Sequence, residues 1–267
     1  MTTQHLGQIT YDVDGTGPLV VCIPGMADVR STFRFLAPAL VAAGYRVAVI
    51  DLRGHGDSPS LDGTDDFDSY DNAGNASDVT ALISHLGGPA VVLGNSMGAA
   101  IGVLVAAEHP DLVSGLVLVG PFVRNGKVNA VLKAVMRVAT SRPLVATVWN
   151  SYLPSLFAGR KPDDFAEHRA LVAASTKRHA AAVSKTMQTN HDDAEAALPR
   201  VHTPVLVIMG ELDPDFRTPL GEAEWIVEQL GGSIVMVPEA GHYPHAQRPD
   251  VVVPAVTSFL ASVPHRA

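Results

Sequence analysis

Apolar residues in this chain come in short unbroken runs, separated by stretches of helical periodicity. Positions 19–23 read Leu-Val-Val-Cys-Ile, 46–50 Arg-Val-Ala-Val-Ile with only its first residue polar, 90–93 Ala-Val-Val-Leu and 112–119 Leu-Val-Ser-Gly-Leu-Val-Leu-Val with only Ser114 polar. Runs this short, continuous and rich in β-branched residues predict strands buried on both faces, as in parallel sheets. Positions 33–43, 72–86 and 98–108 carry the intervening helical patterns, and 8–13 alternates enough for one more strand. The rhythm breaks at Arg124. From there to about Leu198 only helical patterns occur, for example 128–140 and 165–187, with breakers at Pro143, Pro154, Gly159 and Pro162. A strand is expected again at 204–209, then a helix at 219–230, a strand at 233–237 and a closing helix at 250–260. Strands alternating with helices predict an α/β fold, a mostly parallel, doubly wound sheet with an inserted helical cap. The expected division is a core of 1–123 and 199–267 and a cap of 124–198.

Composition changes this picture little. The chain has 267 residues, enough for one large domain with an insertion, and 17% charged residues, ordinary for a soluble protein. No basic-then-apolar leader is read at the N-terminus, and the longest apolar stretch, 97–107, is too short to span a bilayer, so no membrane partner is expected. A single cysteine, Cys22, rules out an internal disulfide and fits a reducing cytoplasm. The net charge of −8 argues against nucleic acid as a partner. It hides an asymmetry: positions 124–185 carry 11 Lys/Arg and 3 Asp/Glu, leaving 8 Lys/Arg and 24 Asp/Glu elsewhere. Such a break marks a separate unit. One use for its charge is to steer an acid-bearing substrate past Arg124, Lys127, Lys133 or Arg137.

The chemistry concentrates where strands end, the usual ligand-binding edge of such sheets. The run 91–93 passes directly into Gly94-Asn95-Ser96-Met97-Gly98, after which the next helical pattern starts. Strand, G-x-S-x-G and helix make a sharp turn that holds a serine hydroxyl over the sheet edge. Serine needs a neighbouring base, normally histidine, and the histidine needs a carboxylate to fix its tautomer. Of 11 histidines, His242 follows the last strand directly, and His245 is the second choice. His5, His85, His168, His179 and His191 fall before the sheet, on helix surface or in the cap. His55 sits in the Gly-flanked turn Arg53-Gly54-His55-Gly56, read as a structural brace. After the strand at 204–209, Glu211 is too close to the strand end and Asp215 lies beyond Pro214, which leaves Asp213.

With these residues the chain resembles the α/β-hydrolase superfamily, in its serine-nucleophile esterase and lipase-like branch. The resemblance runs through Pro24-Gly25-Met26, Arg53-Gly54-His55-Gly56-Asp57-Ser58, the Ser96 elbow and the Asp213 and His242 loops, in the family order Ser, Asp, His. It implies a cofactor-free hydrolase of a carboxylic ester or related acyl compound, a small molecule. It also implies an oxyanion hole made by the amides of Met26 and Met97. One departure is Pro24, where the family usually has His. Two further activities are compatible with the resemblance. The elbow is similar to that of meta-cleavage-product hydrolases, which cleave C–C bonds but typically carry Trp where this chain has Tyr243. A slow-turnover ligand sensor would keep the same triad. Trp149, Tyr152 and Phe157, with Tyr243, are the candidate substrate pocket. No metal site is expected: the acidic run 57–78 lacks the carboxylate spacing of a calcium loop.

Overall fold

In the computed structural model, which describes residues 1–61, 70–126 and 129–264, eight strands form one sheet. In chain order the elements are β1 (Thr2–Leu6), β2 (Ile9–Asp14), β3 (Leu19–Ile23), α1 (Leu36–Ala42), β4 (Arg46–Asp51), α2 (Asn72–His85), β5 (Ala90–Asn95), α3 (Met97–Glu108) and β6 (Val113–Val119). Five helices follow: α4 (Ala130–Ala139), α5 (Val145–Leu156), α6 (Phe165–Arg178), α7 (Ala180–Thr186) and α8 (Asp192–Ala197). The chain closes with β7 (Val205–Gly210), α9 (Pro219–Leu230), β8 (Ser233–Val237), α10 (Pro244–Gln247) and α11 (Pro249–Ser262). The sheet order is β1-β2-β4-β3-β5-β6-β7-β8. The pairs β1–β2 and β2–β4 are antiparallel, and all others are parallel.

The two-residue repeat of strands explains the unbroken apolar runs. Along β3, Leu19, Val21 and Ile23 join a core shared with α2, α3 and α9, while Val20 and Cys22 join one shared with α1 and α11. Both faces are covered, so every position must be apolar. Cys22 is fully buried, and burial pushes its thiol well above its usual range.

Three differences from expectation have local causes. β1 carries no apolar pattern because it is an exposed edge strand, paired on one side only. The helix expected at 33–43 splits into a 3₁₀ turn at Arg30–Phe33 and α1, which begins at Leu36. Pro38, with no amide to donate, thereby stays inside the first turn. The pattern at 165–187 divides at His179, whose ring reaches Ser60 Oγ (2.8 Å) and the Gly56 carbonyl (3.1 Å). Between β6 and β7 the described residues form helices and no strand, with one isolated bridge from Gly159 to Ala240, and α8 packs Ala194 and Ala197 into the larger core. The centre of the acidic run, 62–69, lies outside the described residues, as do Lys127 and Val128. Among the described residues no helix is long and apolar enough to cross a membrane.

Candidate active site

β5 delivers Ser96 to the sheet edge, and α3 starts one residue later. Ser96 has φ 56° and ψ −121°, a left-handed backbone that is costly for a side-chain-bearing residue. Hydrogen bonds hold it there: the Ser96 amide donates to Val119 O (2.9 Å), and its carbonyl accepts from Ala99 N (3.0 Å) and Phe122 N (3.3 Å). The flanking glycines are steric necessities. A Cβ on Gly94 would lie 2.1 Å from the Gly98 carbonyl oxygen, and one on Gly98 2.3 Å from that of Ile23. Gly25 lies across the serine, since a Cβ there would sit 2.9 Å from Ser96 Cβ. Met26 is therefore next to the residue that covers Ser96. Met97, first residue of α3, has an amide with no acceptor a turn back along the helix.

His242 follows β8 and is buried. Its Nδ1 lies 2.7 Å from Asp213 Oδ2, which leaves Nε2 on the opposite edge of the ring. Asp213 is buried in the turn after β7, and its other oxygen accepts from the Asp215 amide (3.0 Å). Burial works against the imidazolium, but the Asp213 charge and hydrogen bond, with Asp215 and Asp28 further out, outweigh it and lift His242 to about 9. Asn95 ties the elbow to the histidine loop by donating to Val119 O (3.0 Å) and His242 O (3.2 Å). His245 is also buried. Its Nε2 meets Thr32 Oγ1 (3.1 Å), its ring stacks on Phe33 (4.9 Å), and burial pushes it down to about 3. It serves as a packed, neutral ring. His55 is also buried, with Nδ1 on Arg53 O (3.0 Å) and burial lowering it to about 4. Gly56 beside it has room only for hydrogen, because a Cβ would meet the Asp51 carboxylate at 2.2 Å.

Ligand-type atoms of Asp213, Asp215 and His242 all lie within 4.8 Å of one another, a set with the donors a metal ion would need. Two of the three already hydrogen-bond each other, and Asp215 accepts from Tyr152 OH.

The sequence profile of the alpha/beta hydrolase family matches residues 20–255. The chain belongs to that family. This alpha/beta hydrolase is similar to the 2-(acetamidomethylene)succinate hydrolase of Mesorhizobium japonicum, 28% identical over 96% of this chain and 93% of the relative. Among solved structures it is similar to a malate-bound thermophilic esterase from Thermogutta terrifontis (26% identity, TM-score 0.82, 97% and 94% of the two chains). It shares its fold with an enol-lactonase from Burkholderia xenovorans LB400 (24% identity, TM-score 0.79, 95% and 96%).

The helical segment of this hydrolase is stitched to the histidine loop. The His242 amide donates to Leu156 O (2.7 Å), and Gln247 Nε2 donates to Ala158 O (2.8 Å) and Arg160 O (2.7 Å). Phe157 and Tyr243 are fully buried and stack at 4.6 Å with an interplanar angle of 11°. The pair packs beside the loop that carries His242, and the Tyr243 ring meets the His242 ring edge-on at 5.4 Å. Trp149 is half-buried with an unpartnered Nε1, and Tyr152 reaches across to Asp215. Of the cations named for steering, Arg124 is occupied: it forks onto Glu222 (2.9 and 2.6 Å) and stacks on Trp225.

Sequence reasoning missed Asp28 and His168. Asp28 is fully buried, accepts from the Val29 amide (2.8 Å), and has His168 Nε2 3.4 Å from its Oδ1. Burial pushes its carboxyl up, but His168, Val29 and Thr32 together hold it below its ordinary value. Its signal was an aspartate three residues past Gly25, on the loop that crosses the serine. His168 comes from α6, and no local pattern could have linked it to Asp28.

Proposed function

We propose that this chain is a cofactor-free serine hydrolase that cleaves a carboxylic ester or related acyl compound through an acyl-enzyme. Ser96 Oγ bonds to the acyl carbon while its proton passes to His242 Nε2. The carbonyl electrons move to oxygen, and the amides of Met26 and Met97 hold that oxyanion. Collapse expels the alcohol, which takes the proton from His242. Water repeats the sequence, releasing the acid and restoring Ser96. Asp213 keeps the proton on Nδ1 and stabilises the imidazolium. The observation that carries this reading is the 2.7 Å contact between His242 and Asp213, in a loop whose His242 carbonyl accepts from Asn95, the residue before a serine held at positive φ. The helices between β6 and β7 act as the cap, and the division at 124 and 198 belongs to this reading. So does a cytoplasmic setting, supported by the single buried Cys22.

A substituted succinate and a bound malate appear in the names of two similar proteins, which supports an acid-bearing acyl compound as the substrate class. Hydrolysis of a p-nitrophenyl ester panel, including a hemisuccinate ester and run beside Ser96→Ala, tests the reading.

A further inference from the structure

Helix α4 buries none of its ten residues. Val131, Val135 and Val138 are 74%, 58% and 62% exposed, and Leu132 and Met136 are about half exposed. At about 100° per residue these five side chains fill one continuous arc, while Lys133 and Arg137, one turn apart, sit together on the opposite side. The helix is properly started, with Asn129 Oδ1 accepting from the Leu132 amide (2.8 Å). Positions 125–162 contain no Asp or Glu at all. Beyond α4 the basic character continues, with Arg142 and Lys177 lining one groove. Leu144, Val148 and Tyr152, spaced four apart at the start of α5 and along it, add an exposed row.

A helix that packs on its own protein buries its apolar arc, and α4 does not. Protein partners are usually anchored by aromatic residues seated in pockets, and α4 carries none. A broad aliphatic arc edged by cations and free of carboxylates is the pattern of a helix lying in a lipid interface. Its cations complement anionic headgroups. The rest of the chain carries 8 Lys/Arg against 24 Asp/Glu, a balance that disfavours contact with an anionic surface. We propose that α4 docks this hydrolase peripherally on anionic phospholipid bilayers, with its aliphatic arc in the interface and Lys133 and Arg137 among the phosphates. A helix of ten residues is about 15 Å long and lies on the membrane without crossing it. The expectation of no membrane partner rested on the lack of a spanning stretch and does not bear on this mode of binding.

Flotation of the full-length protein with phosphatidylcholine vesicles, with and without phosphatidylserine, tests the proposal. Binding is expected to be at least about tenfold tighter to the phosphatidylserine vesicles and to weaken as salt rises. Val131→Asp/Val135→Asp and Lys133→Glu/Arg137→Glu should each weaken it by about tenfold or more. The first pair should leave circular dichroism and hydrolysis of soluble p-nitrophenyl acetate unchanged. Ser96→Ala should bind as wild type does, so failure of the serine-hydrolase reading leaves this test intact. Three results overturn the proposal: no partition onto either vesicle, no effect of either variant pair, or conversion of a dimer to a monomer by Val131→Asp/Val135→Asp. The same holds if Lys133→Glu/Arg137→Glu changes kcat/KM for a carboxylate-bearing ester but not vesicle binding, because those cations would then steer substrate.

Discussion

Replacing Asp213 by Asn removes one charge from the site and nearly no volume. The carboxylate stands 2.7 Å from His242 Nδ1 and is the main influence that raises the imidazole from 6.5 to about 9 against its burial. Without it the midpoint should fall by roughly two pH units, and each unit is about 1.4 kcal/mol, so Asp213 stabilises the imidazolium by on the order of 3 kcal/mol. That accounts for about a hundredfold in rate. The amide has a second effect: its N–H₂ can donate to Nδ1 and hold the ring proton on Nε2, where it blocks the base. Together the two effects should lower kcat by about 10⁴. The assay is kcat/KM for a neutral ester across pH 5–10, paired with an NMR titration of His242. In the wild type, activity should climb as pH rises through about 9; in Asp213→Asn a small residual activity should climb at lower pH. The stability linkage has the same origin. A histidine raised in the folded state stabilises fully below its unfolded value near 6.5, and that contribution is lost as pH rises through about 9. The urea midpoint of Asp213→Asn should therefore change less over that window than the wild-type midpoint does. Near-wild-type activity in Asp213→Asn, with loss of activity in Asp215→Asn, would refute the reasoning and move the role to the carboxylate 3.8 Å from Nδ1.

Two further outcomes are expected. Arg30 joins Asp12 (2.9 Å), Asp57 (2.8 Å) and the fully buried Asp51, and it braces the loop after Gly25 against β4. Arg30→Met leaves Asp51 buried without its cation and should cost about 3–5 kcal/mol in urea unfolding; a loss under about 1 kcal/mol would contradict this. Dialysis against EDTA should leave ester hydrolysis unchanged. Loss of activity restored by a divalent ion would instead assign Asp213, Asp215 and His242 to a metal.

The sheet was legible because both its faces are buried: β3 to β7 show as apolar runs that no other local structure explains. β1 was not, since an exposed edge strand has no reason to be apolar. The loop positions of Asp213 and His242 after β7 and β8 were readable because chain order and strand ends limit which side chains can meet. His245 shows how little residue type alone says, since three positions away the same ring is a neutral packing element against Phe33. The aromatic residues of the helical segment were ambiguous for a similar reason. Phe157 and Tyr243 stack on each other, and hydrophobicity does not say whether such a pair also borders a pocket. The Asp28–His168 pair joins residues 140 positions apart and leaves no trace in either local pattern. The helical pattern over α4 was plain, but an apolar arc in a sequence does not say whether anything covers it.

The most direct measurement is steady-state turnover of p-nitrophenyl esters of rising chain length by the wild type and by Ser96→Ala. Repeated turnover by the wild type is expected, with kcat lower by roughly 10⁴–10⁶ in Ser96→Ala and an unchanged thermal midpoint. Activity of Ser96→Ala within about tenfold of wild type would contradict the account, as would a wild type that stops after one equivalent of product.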